Sequence, residues 1–91
     1  MSERQVTIAS RVGLHARPAS IFAEAVGKLP LEVTIAMAGA PVDDAVDASS
    51  ILSLMGLGAA NGDVVVLRAE GAGADDALDS LVTILETDLD A

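Results

Sequence analysis

A chain of 91 residues has room for one compact domain (1–91), and 52% hydrophobic content with Phe22 as the single aromatic calls for an Ala, Val, Ile and Leu core. Fourteen acidic against five basic residues leave a net charge of −9, which favours solubility and opposes direct contact with nucleic acid or an anionic membrane surface. The absence of cysteine removes disulfide, thiolate and Cys-based zinc chemistry; with no apolar run near the ~20 residues of a bilayer span and no signal-like N-terminus, the expected location is the cytoplasm.

Arg4 to Ala9 reads as a first strand, with Val6 and Ile8 on one side and Gln5 and Thr7 on the other. Ser10-Arg11-Val12-Gly13 breaks it. From about Ala16 to Lys28 the apolar positions Ala19, Phe22, Ala23 and Val26 recur at helical spacing, and Gly27 and Pro30 lie where a helix should stop. Leu31 to Met37 is a second strand, rich in β-branched residues. Ala38-Gly39-Ala40-Pro41 turns the chain into a short strand before Asp47. Ala48 to Met55 suits a short helix ending near Gly56 and Gly58.

Asn61-Gly62 is a turn signal, and Asp63 to Ala69 is the strongest strand pattern in the chain. After the loop Gly71 to Gly73, Asp75 to Asp88 forms an amphipathic helix with Ala77, Leu78, Leu81, Val82, Leu85 and Leu89 on one face. Asp75 and Asp76 near its start complement the helix dipole. The order β-α-β-β-α-β-α predicts an α+β fold: one mostly antiparallel sheet with the helices on a single face.

Chemistry has one place to sit. The only histidine, His15, lies in Gly13-Leu14-His15-Ala16-Arg17-Pro18-Ala19. Proline has no amide hydrogen, so Pro18 belongs in the first turn of a helix, which puts His15 at or next to the N-cap. First-turn amides lack intrahelical partners and the dipole presents partial positive charge there, a ready-made anion site. Arg17 adds a full positive charge, and no Asp or Glu lies between Glu3 and Glu24 to oppose it. Both fields disfavour a protonated imidazole and stabilise a phosphate attached to it. Gly13 permits a backbone conformation that leaves the ring projecting.

The helix terminus contributes roughly 0.3–1 kcal/mol to an anion, up to about 2 in favourable geometry. A charge-assisted hydrogen bond from Arg17 adds about 1.5–3 kcal/mol. That is enough to hold a phosphohistidine and too little to trap it. The competing reading is a capping or loop histidine of no consequence. A metal site is poorly supported, because one histidine without cysteine leaves only carboxylates and there is no Asp-rich loop. No nucleophile or orienting acid flanks His15 for hydrolysis. No Walker A or dinucleotide fingerprint is present, so no cofactor is expected and a phosphoryl donor would be another protein.

The seven-residue motif resembles the active site of the HPr family, the histidine-containing phosphocarriers of the sugar phosphotransferase system. The likeness extends to the element order, Ser50-Ile51-Leu52, Leu57-Gly58 and the DVVVLRA strand. It implies an open-faced β-sandwich, with a four-stranded antiparallel sheet and three helices on one face. It implies a monomeric carrier rather than an enzyme. His15 would accept phosphate through Nδ1 from phosphorylated enzyme I, itself charged by phosphoenolpyruvate, and pass it to a histidine of sugar-specific enzyme IIA. Arg17 would assist, and the backbone of Ala16 and Arg17 would bind the phosphate.

Partner docking would fall on Ala16, Ser20, Ile51, Leu52 and Met55. As a bare pattern the last three are more often core, whereas the resemblance implies that at least two are partly exposed. Ser50 matches a serine that a dedicated kinase phosphorylates in some lineages; the plainer reading is that Ser49 or Ser50 caps the short helix. Two rival functions follow. One is a regulatory binding module switched at Ser50 with His15 idle; the other is a small-molecule-binding α/β domain, which would need a sizeable pocket. Three departures from the family stand out. Glu24 and Gly27 occupy positions where many relatives carry positive charge, which weakens steering towards an acidic partner. Val12 replaces a common polar residue. Asp43-Asp44-Ala45-Val46 stands as an insertion of about four residues, lengthening a hairpin or forming a loop.

Overall fold

The structure, a computed structural model, describes residues 2–11, 13, 14 and 16–87. Its elements are β1 (Ser2–Thr7), α1 (Ala16–Gly27), β2 (Val33–Met37), β3 (Val46–Asp47), α2 (Ile51–Leu57), β4 (Val64–Ala69) and α3 (Ala74–Leu85), in the order expected from the sequence. The strands make a four-stranded antiparallel sheet ordered β1-β4-β2-β3. β4, the most continuously apolar strand, lies between β1 and β2. Paired along both edges, it takes the interior position that its apolar run suits.

Register fixes which face meets the helices. Leu67 lies between Arg4 of β1 and Ile35 of β2, and Val65 between Val6 and Met37. Val6, Val33, Ile35, Val65 and Leu67 pack with Ala19, Phe22 and Val26 of α1, Leu54 of α2, and Leu78, Leu81 and Leu85 of α3. The opposite face carries Glu3, Arg68 and Thr34 side by side, and Arg68 Nε donates to Glu3 Oε1 at 2.8 Å. All three helices therefore cover one face and the other is open. At the edge, Arg4 reaches α3, with Nε on Asp79 at 2.9 Å and a second nitrogen 3.3 Å from Asp75. These pairs are solvent-exposed and add little.

Several boundaries differ from the sequence reading. β1 covers Ser2–Thr7 rather than Arg4 to Ala9: the Ile8 amide still donates to the facing Asp63 carbonyl at 2.9 Å, but the return bond is lost, because Asp63 N turns to Ala60 O at 3.0 Å and Ile8 O accepts from Gly62 N at 2.9 Å. β2 begins at Val33 rather than Leu31. α2 begins at Ile51 rather than Ala48 and runs on to Leu57, since the Ala48 amide continues the sheet by donating to Val33 O at 3.0 Å. Gly58, at φ +74°, ends α2 in the left-handed conformation that glycine adopts without strain. α3 covers Ala74–Leu85; Asp88 and Leu89 lie outside the described residues. Residues 43–46 fall in and at the end of the connection that joins the antiparallel pair β2 and β3. Val42–Asp44 forms a 3₁₀ turn, after which Val46 pairs with Ile35 and Asp47 with Thr34.

Phe22 is the largest fully buried side chain and links α1 to the sheet. Phe22→Ala is expected to lower unfolding free energy by about 3–5 kcal/mol, read from urea denaturation followed by far-ultraviolet circular dichroism.

Candidate functional site

α1 starts at Ala16, so Pro18 is its third residue, where a missing amide removes no helical hydrogen bond. Its ring is fully buried, which anchors the first turn to the core. His15 immediately precedes this turn in sequence; His15 and Val12 lie outside the described residues. The first turn of α1 contains no acidic residue. Arg17 is exposed and makes no hydrogen bond or ion pair among the described residues. By contrast Arg4, Lys28 and Arg68 are each tied to a carboxylate. In an acidic protein this guanidinium remains available to an anion.

The connection from β1 to α1 is held from outside by residues 59–63. Gly62 N donates to Ile8 O at 2.9 Å, and Leu14 N donates to Ala59 O at 3.0 Å. Gly13, at φ +70°, is buried against the same segment: a Cβ there would collide with the Ala59 carbonyl and lie 2.8 Å from Ala60 Cα. Gly13 is thus required twice, by its left-handed backbone and by the close approach of another backbone. The sequence reading found the conformational need but missed the contact. A separation of more than forty residues leaves no periodic signal, and Asn61-Gly62 reads only as a local turn.

α2 lies beside α1 and presents an unusual face. Leu54 points into the core, while Ile51, Leu52 and Met55 are exposed by 43%, 83% and 38%. On α1, Ser20 and Glu24 are also exposed, and Glu24 pairs with Lys28 at 3.4 Å. Ser50 is the N-cap of α2, its Oγ accepting from Ser53 N at 3.2 Å. Just before it, Ser49 donates to Asp47 Oδ1 through its hydroxyl at 2.7 Å and its amide at 2.9 Å. The hydroxyl bond first, then the amide bond, holds the Asp47 carboxyl below its ordinary value.

Among the described residues no group of three or more His, Cys, Asp or Glu is placed to hold a metal ion. Open clefts of about 380 and 440 Å³ lie around Val26 to Thr34 and around Pro30 and Arg68, and neither includes Arg17.

The family model PTS-HPr, described as the PTS HPr component phosphorylation site, matches residues 2–87. The chain belongs to the HPr family. It is accordingly a phosphocarrier of the phosphotransferase system and not an enzyme. Phosphocarrier protein HPr of Streptomyces coelicolor is 43% identical over 91 residues, 99% of this chain and 94% of that one. HPr-like protein Crh of Halalkalibacterium halodurans is 33% identical over 86 residues, 94% of this chain and 98% of its own. Among solved structures, HPr-C-His from Thermoanaerobacter tengcongensis superposes with a TM-score of 0.82 at 35% identity, covering 94% of this chain and 92% of that one. No helix among the described residues is long and apolar enough to cross a membrane.

Gly13→Ala is expected to destabilise the HPr-family fold here by more than the ~1–2 kcal/mol of a left-handed residue alone, measured by urea unfolding. The Asp47 contacts make a pH prediction. Their stabilisation is fully present above the ordinary carboxylate value of 3.8 and is lost as pH falls through the lower folded value. Wild type should therefore exceed Asp47→Ala in urea midpoint at pH 7, and the gap should close in stronger acid.

Proposed function

We propose that this chain relays a phosphoryl group from phosphorylated enzyme I to sugar-specific enzyme IIA proteins in the cytoplasm, carrying it as phosphohistidine at His15. The observation that carries this reading is an acid-free first turn directly after His15 whose exposed Arg17 makes no hydrogen bond or ion pair among the described residues, on a helix that packs against α2 with its exposed Ile51, Leu52 and Met55.

The chemistry suits a shallow site. The lone pair of the neutral His15 Nδ1 attacks phosphorus in line, forming one P–N bond as the P–N bond to the donor histidine breaks. The donor imidazole leaves with the electron pair. Such transfers need positioning and charge stabilisation more than new covalent machinery. First-turn amides at Ala16 and Arg17 and the guanidinium supply fixed positive potential to the phosphoryl oxygens. Because both bonds are of one kind, a modest binding energy leaves the step reversible, as a relay requires. α1 and α2 come from one chain, so a monomer contains the whole site.

The apolar face of α2 supports docking of both partners through Ile51, Leu52 and Met55, with Ala16 and Ser20 contributed by the neighbouring α1. A second reading concerns Ser50. The likeness to an HPr-like protein Crh is compatible with a regulatory role for it, and it directly precedes the exposed Ile51 and Leu52 at the start of α2. A phosphate there adds a charge of about −1.5 to −2 and opposes apolar docking. The reading makes Ser50 a brake on the relay, set by a serine kinase.

Incubation with phosphoenolpyruvate and a cognate enzyme I should place one acid-labile phosphate on the chain, mapped by mass spectrometry to His15. His15→Ala should abolish it; equal labelling of the alanine variant would refute the relay. Arg17→Glu should slow transfer about tenfold to a hundredfold, the rate equivalent of the ~1.5–3 kcal/mol of a charge-assisted hydrogen bond, with circular dichroism unchanged.

A further inference from the structure

We infer that Asn61 is a positioning residue for the phosphoryl transfer: its carboxamide clamps the start of the β1–α1 connection and so sets where the His15 loop lies. Asn61 Nδ2 donates to Ala9 O at 3.1 Å and approaches Ile8 O at 3.4 Å. The other backbone groups of this dipeptide are already engaged. Ile8 N donates to Asp63 O at 2.9 Å, Ile8 O accepts from Gly62 N at 2.9 Å, and Ala9 N donates to Leu85 O at 3.0 Å. The Ala9 carbonyl has no other partner among the described residues, so the amide of Asn61 alone holds it.

The clamp acts on a short lever. Two fixed points bound the loop, Asn61 at Ala9 and the Leu14 N–H to Ala59 O bond, both from the same 59–63 segment. Between them Gly13 N donates to Ser10 O at 3.0 Å, closing a turn. Transfer requires His15 to meet a partner's phosphorus within a few tenths of an ångström, so a loop released at one end loses rate even when the fold stands. The turn that carries Asn61 does not depend on its side chain. Asp63 closes it, with Ala60 N donating to Asp63 Oδ2 at 3.0 Å and Asp63 N donating to Ala60 O at 3.0 Å. Removing the carboxamide therefore frees the Ala9 carbonyl and leaves the turn in place.

This inference takes its rate consequence from the relay reading, and its structural half is tested separately. Asn61→Ala and Asn61→Asp both remove the donor, the second at constant shape. Amide hydrogen exchange by NMR should speed up at least tenfold at Gly13 and Leu14 in both variants, with Val65 and Leu67 unchanged. Phosphotransfer from enzyme I should show kcat reduced about tenfold, KM within twofold, and full phosphate stoichiometry. Partial unfolding would lower stoichiometry instead and leave the rate per folded molecule intact, which would overturn the proposal. Unchanged exchange at Gly13 and Leu14, or faster exchange with unchanged kcat, would also overturn it. Wild-type protein that takes no phosphate at all would refute the relay, and the exchange arm would still decide the clamp.

Discussion

The first turn of α1 has backbone amides that no residue of the helix can satisfy, and its field is positive in a protein whose net charge is −9. That contrast organises the site. Most charged contacts on the surface consume cations: Arg4 is shared between Asp75 and Asp79, Lys28 faces Glu24, and Arg68 is tied to Glu3. Among the described residues Arg17 makes no such contact. Were a carboxylate to occupy the first turn, as Asp75 and Asp76 do in α3, the helix would gain stability and an incoming anion would meet repulsion there. The same physical preference that favours acidic residues at helix starts is left unused at α1, which is what a site for an incoming anion needs.

Holding that turn open requires a frame, and the frame comes from far along the chain. Pro18 is buried at one side of it, and residues 59–63 brace the incoming loop at Ile8, Ala9, Gly13 and Leu14. The contacts of this brace to the loop are made by backbone and one carboxamide rather than by charged side chains, which gives them definite geometry. Exposed leucine on α2 completes the surface. In a relay the docking face must release its partner, and a small apolar patch with few fixed ion pairs suits brief contact. Glu24 and Lys28 neutralise one another on the neighbouring helix, so this face offers little charge to steer by.

Periodicity and turn chemistry make most of this architecture readable from residues alone. The helical spacing of Ala19, Phe22, Ala23 and Val26 gives α1, and all four are buried. The apolar run at Val64–Ala69 gives the central strand. Local signals fail where tertiary bonding overrides them. Ala48 has good helix propensity yet extends the sheet, because the Val33 carbonyl is available and Ser50 caps the helix two residues later. β3 is two residues long, too short for any alternation to register. The motif around His15 marks the site through Gly13, Arg17 and Pro18. Ala59, Ala60 and Asn61 stay hidden because their meaning lies in a long-range backbone contact.

The central claim is that phosphate is held by the opening of α1. Backbone amide NMR before and after phosphorylation by phosphoenolpyruvate and enzyme I tests it most directly. The largest downfield shifts should fall on the amides of Ala16 and Arg17, with smaller changes at Gly13 and Leu14. A response centred on Ser50 and Ile51, or spread evenly over the sheet, would contradict the account.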